Sequence, residues 1–75
     1  MAVSYNKLWK LLIDRKMKKK DLMALSGVSK STLAKMANDE YVSTEMIAKI
    51  CGALNVNIED IIEVVPDEPR GENNE

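Results

Sequence analysis

Between positions 29 and 38 the chain carries Ser29, Lys30, Ser31, Thr32, Lys35 and Asn38, with no acid among them. On a helix spanning 30–37, Lys30, Ser31, Ala34 and Lys35 face outward. They are short or basic, as a helix lying in a DNA groove requires. Lysine ammonium groups suit the O6 and N7 acceptors of guanine, so Lys30, Ser31 and Lys35 are the candidates for contact with base edges. A second set has the chemistry to hold phosphate oxygens: Lys19 and Lys20, with Ser29 and Asn38. This is recognition chemistry. Nothing in the chain resembles a catalytic constellation, because it has no His, no Gly-rich phosphate loop and no nucleophile with a paired base. No enzyme and no cofactor is expected. The single Cys51 cannot close an intrachain bridge, and a His/Cys metal set is missing, so no metal is expected either.

Two short helices must position these side chains. Leu22, Ala24 and Leu25 give the first a small apolar face, and Leu33, Met36 and Ala37 repeat it in the second at helical spacing. Ala24 offers a minimal side chain where the helices would cross. Gly27 falls between them, where a reversing chain needs positive φ. Ser29 is placed to cap the second helix.

The net charge of −1 hides a polarised distribution. Residues 1–38 hold nine Lys/Arg against two acids, a net of +7, and residues 57–75 hold seven acids against Arg70, a net of −6. A molecule of this kind can dock its basic end on phosphates while its acidic end faces away.

With Ala24, Gly27, Val28 and Leu33 at small, turn and core positions, the stretch 19–38 resembles the helix-turn-helix of phage-repressor/Cro-like DNA-binding domains, the XRE family. The similarity continues through Ile47–Ala48–Lys49–Ile50, Ala53–Leu54–Asn55–Val56 and Ile58–Glu59–Asp60–Ile61–Ile62, and covers roughly 5–63. It implies an all-α fold, a compact five-helix bundle, with a short C-terminal strand able to follow it. The resemblance implies sequence-specific binding of double-stranded DNA by a transcriptional regulator. An interaction module of the same fold, including the DNA-binding half of an antitoxin pair, is the alternative. The polar tail looks too short to wrap a toxin, which favours the first reading.

Helices are expected over 5–15, 19–26, 30–37, 44–54 and 58–63, with extended structure confined to Ile62–Val65. Residues 1–4 read as an N-terminal extension, 5–65 as the domain and 66–75 as a disordered acidic tail. Leu8, Leu11 and Leu12 form the stripe of the first helix, with Ser4 as its cap. Met17 should plug the core from the loop. Ser43 should cap the fourth helix, whose buried face is Met46, Ile47, Ile50 and Leu54, and Cys51 reads as an inert thiol near it. Asn57 and Asp60 form a capping pair for the fifth, and Ile58, Ile61 and Ile62 close the core.

The chain departs from the family pattern in several places. Lys18 stands where Ser or Thr is common and cannot cap. Lys19 replaces a frequent Gln, exchanging an oriented amide for a mobile point charge. Leu12 and Ala37 replace a frequent Arg–Glu pair with an apolar contact. Trp9 and Ile13 form an apolar pair where relatives are usually polar, which suggests that another apolar segment covers them. One domain makes a small DNA interface, so a homodimer on a two-fold operator is expected, with Trp9, Ile13, Val64 and Val65 as its interface. No apolar run approaches a membrane span and no leader pattern is visible, so no membrane partner and a cytoplasmic location are expected.

Overall fold

The structure is a computed structural model that describes residues 2–66. It contains four α-helices and a two-stranded sheet. The helices are α1 (Asn6–Asp14), α2 (Lys19–Ser26), α3 (Lys30–Ala37) and α4 (Thr44–Leu54). The strands are β1 (Ala2–Ser4) and β2 (Glu63–Val65), paired antiparallel with Val3 opposite Val64.

Each helix contributes a buried stripe to one core: Leu8 and Leu12 from α1, Leu22 from α2, Leu33 and Met36 from α3, and Ile47, Ile50 and Leu54 from α4. Tyr5, Val28 and Ile61 fill it from the connections, and Met17 packs against its rim as expected. Burying each large side chain of this set contributes roughly 1.5–3 kcal/mol. The inner face of α2 differs from the expectation. Ala24 is exposed and Leu25 is 58% exposed, while Met23 and Ser26 turn inward beside Leu22. The burial of Leu22 sets the rotation of this short helix, and Ala24 and Leu25 are carried to its outer side. Ala37, expected on the core face of α3, is also exposed.

The helix ends follow local chemistry. Ser29 Oγ accepts from the Thr32 amide at 3.2 Å, and Ser43 Oγ from the Met46 amide at 3.3 Å. Removing a cap of this kind costs about 1 kcal/mol. Lys18 cannot accept such a bond, yet the start of α2 is not bare, because the Asp21 carboxylate accepts from the Lys18 amide at 2.8 Å. Ser4 does not cap α1 in the expected way: Tyr5 occupies the cap position, and Ser4 Oγ accepts from the Asn6 amide at 3.3 Å. Gly27 ends α2 in the left-handed region at φ 81°, as the turn demanded. Lys16, Asp39 and Asn55 take up the same region after α1, α3 and α4. The first two close paired terminal bonds, Met17 N–H to Leu12 O and Glu40 N–H to Lys35 O.

Two expectations fail at the C-terminal end. The fifth helix, expected over 58–63, is a single 3₁₀ turn at Ile58–Asp60, so the five-helix count falls to four. Its start is held as expected, with Asp60 Oδ2 accepting from the Asn57 amide at 2.9 Å. β-branched Ile61, Ile62, Val64 and Val65 then favour extended backbone over a longer helix. Ile61 is buried, but Ile58 is 50% exposed and does not close the core. Extended structure is also not confined to Ile62–Val65. Ala2–Ser4, read as an extension ahead of the domain, supplies the partner strand. The tail from residue 67 onward lies outside the described residues. Among the described residues no helix is long and apolar enough to cross a membrane.

Candidate nucleic-acid interface

Helix α2, Gly27 and helix α3 form the helix-turn-helix. Val28, Leu33 and Met36 are drawn into the core, which fixes the opposite side of α3 toward solvent. Lys30, Ser31, Ala34 and Lys35 are all exposed there, as the helical spacing requires. Lys19 and Lys20 open α2 and are exposed too. A cleft between the two helices joins the two sets: Lys19, Lys20 and Lys30 line it, with Met23, Leu33 and Ala34. The expected phosphate ligands Lys19 and Lys20 thus share one surface with Lys30. Ser31 and Lys35 lie along the same helix, and Asn38 is exposed at its C-terminal cap.

Hydroxyl groups cluster where α3 begins. Ser29 Oγ lies 3.1 Å from both Ser31 Oγ and Thr32 Oγ1 while it accepts the Thr32 amide. The oxygen of Ser29 is therefore committed to the start of the helix, and its hydroxyl shares hydrogen bonds with those of Ser31 and Thr32.

Charge on this face is uncompensated. Among the described residues the ion pair present is Lys49 with Glu45 at 3.9 Å, on α4, and no acid pairs with Lys19, Lys20, Lys30 or Lys35. Arg15, part of the basic run in the sequence, is used elsewhere: its Nη1 donates to Leu54 O at 2.6 Å and caps the end of α4. Lys7 similarly donates to Glu59 O at 3.2 Å. Burial, then the charge of Asp60, pushes the Cys51 thiol upward and holds it protonated, which suits an inert packing role. Among the described residues no group of three or more His, Cys, Asp or Glu could hold a metal.

The expected dimer residues are built into two different surroundings. Trp9 and the 73% exposed Ile13 line a cleft with Leu12, Met17, Lys18, Lys19 and Ala37. Lys7, Lys10, Leu11 and Asp14 of α1 line another cleft, with Val56 and Asp60. Val64 and Val65 belong to β2 and pair with β1 of the same chain, so Val65 is half-buried while Val64 is 62% exposed. One contact was not visible in the sequence: Lys19 Nζ lies 4.7 Å from the centroid of the Trp9 ring. The two residues are ten apart in sequence, on different helices, and no local periodicity pairs them.

The same architecture is found elsewhere. In the crystal structure of the transcriptional regulator VanUg, form II, a chain 56% identical in sequence superposes with a TM-score of 0.83, over 88% of both chains. No curated protein matches the chain. The family model for the Cro/C1-type HTH DNA-binding domain matches residues 7–67. A basic helix-turn-helix whose helix α3 carries no acid and this match over most of the chain agree: the chain belongs to the Cro/C1-type helix-turn-helix DNA-binding family.

Proposed function

We propose that the chain is a sequence-specific transcriptional regulator that binds double-stranded DNA as a homodimer, with α3 in the major groove. The observation that carries this reading is the surface of α2 and α3, where lysines without acidic partners among the described residues surround a cleft floored by Met23, Leu33 and Ala34. Lys30, Ser31 and Lys35 read base edges, where lysine can donate to guanine O6 and N7. Lys19, Lys20, Ser29 and Asn38 hold the phosphate backbone and set the register of α3. The dimer supplies a second recognition helix for a half-site roughly 34 Å away.

β2 is the stronger candidate for the dimer contact. Val3 packs against the core, but its cross-strand partner Val64 stands exposed, so the apolar face of the sheet runs past the core and ends uncovered. A second copy can cover it, with Ile13 adding exposed apolar surface on α1.

Selection of bound sequences from a random DNA pool, followed by binding of the selected site over a salt series, tests the reading. A selected motif with two-fold symmetry and a steep salt dependence is expected. An interaction-only module of the same fold would enrich no motif. Sedimentation of the wild type against Val64→Asp tests the dimer: a wild type that is monomeric at micromolar concentration, or a variant that stays dimeric, rejects this interface.

A further inference from the structure

We infer that Trp9 is a positioning residue for DNA binding, holding the Lys19 ammonium on its ring so that this flexible side chain meets a phosphate from a fixed place. The inference rests on the DNA-binding reading above. Lys19 of α2 and Trp9 of α1 meet in space here. The structure puts the ammonium of one 4.7 Å from the ring centroid of the other. A lysine on four methylenes loses much rotamer freedom when it is held at a ligand. A ring face that already restrains the ammonium reduces that loss, because the negative face of indole attracts the cation.

The ring is suited to the task. Trp9 is half-buried, and its neighbours on α1, Leu8 and Leu12, are core residues, so the indole is carried by a fixed helix. Lys19 is the first residue of α2, where N–H groups at the helix start favour an anion. Lys19 also lines both the Trp9 cleft and the cleft between α2 and α3, so its stem bridges the aromatic support and the proposed DNA face. No acid competes for it among the described residues. The ring leaves the ammonium its remaining N–H donors, so a phosphate oxygen can approach from the solvent side.

A double-mutant cycle tests this. Dissociation constants for a DNA duplex are measured over a salt series for wild type, Trp9→Leu, Trp9→Phe, Lys19→Met and the Trp9→Leu, Lys19→Met double variant, with thermal melts of each free protein. Lys19→Met should weaken binding and make the salt slope shallower by about 0.9. Trp9→Leu should weaken binding about two- to five-fold when Lys19 is present and have no effect on binding in the Lys19→Met background. Trp9→Phe, which keeps an aromatic face, should recover most of the loss even if its melting temperature is also lowered. Trp9 is the sole tryptophan, so DNA should alter its emission in wild type and leave it unaltered in Lys19→Met. Equal effects of Trp9→Leu in both backgrounds, or tighter binding after Trp9→Leu, would overturn the inference and leave DNA binding standing. A wild type that binds no duplex at low salt rejects the functional reading, and this inference with it.

Discussion

Tyr5→Phe removes a single oxygen from a junction that ties the N-terminal strand to the segment leaving α3. The ring of Tyr5 is 1% exposed. Its hydroxyl donates to Glu40 O at 2.8 Å, and its backbone amide donates to Asp39 Oδ1 at 3.3 Å. The phenylalanine ring fills the same space and the amide bond survives, so the loss reduces to the hydroxyl and the carbonyl it leaves behind. A net hydrogen bond of this kind contributes about 1 kcal/mol, and the deserted part-buried carbonyl raises the cost to about 1–2 kcal/mol. For a domain of this size the melting temperature should fall by roughly 5–15 °C. Burial raises the Tyr5 phenol above its ordinary 10.0, with the charge of Asp39 adding to the rise and the Val42 backbone opposing it. In the unfolded chain the phenol therefore ionises first. Its stabilising contribution is complete below about pH 10 and is lost as pH rises through the folded value. The stability gap between wild type and Tyr5→Phe, measured by urea unfolding from neutral to strongly alkaline pH, should be constant at first and then close. A gap that widens above about pH 10, or a variant as stable as wild type at about pH 7, would refute this account of the junction.

Other substitutions separate the remaining roles. Gly27→Ala meets no atom within 4 Å but must hold φ 81°, so the cost is backbone strain of about 1–2 kcal/mol, readable in a denaturant melt. Asp21→Ala removes the carboxylate that accepts the Lys18 amide and should destabilise by about 1 kcal/mol, with no change in base preference. Lys30→Ala and Lys35→Ala should relax the selected motif at particular positions, each lost contact costing about 1–3 kcal/mol. Lys20→Ala should weaken all duplexes alike and reduce the salt slope by about 0.9. Competition between the selected site and scrambled DNA distinguishes these last two behaviours.

Where local chemistry decided the structure, the sequence was readable. The caps at Ser29 and Ser43, the reversal at Gly27 and the spans of α2, α3 and α4 followed from side-chain type and helical spacing. Long-range pairing was not readable. Ala2–Ser4 carries no strand signal of its own, and it becomes a strand because β2 supplies the hydrogen bonds. The rotation of α2 is unreadable for a related reason: Leu22, Ala24 and Leu25 read as its apolar face, and packing against α4 turns Leu22 and Met23 inward and leaves Ala24 and Leu25 exposed. The left-handed backbone at Lys16 and Asp39 carries no sequence signal, because residues other than glycine are held there by terminal bonds that no residue type announces.

The candidate site divides along the same line. The lysines of α3 and the start of α2 could be named from helical spacing and the basic run that leads into α2, because exposure on a short amphipathic helix is a local property. The setting of Trp9 could not. Its apolar character calls for a covering partner that no local pattern names. The structure places the Lys19 ammonium over the ring, within the same chain. This changes how the apolar patch divides. Trp9 already has a partner on its face, whereas Val64 remains exposed on a sheet whose other strand reaches the core. Substitutions at the two places should therefore separate cleanly. Trp9 variants should act on DNA affinity through Lys19 while the oligomeric state is unchanged. Val64 variants should act on the oligomeric state, and on DNA affinity only through the loss of the second half-site contact.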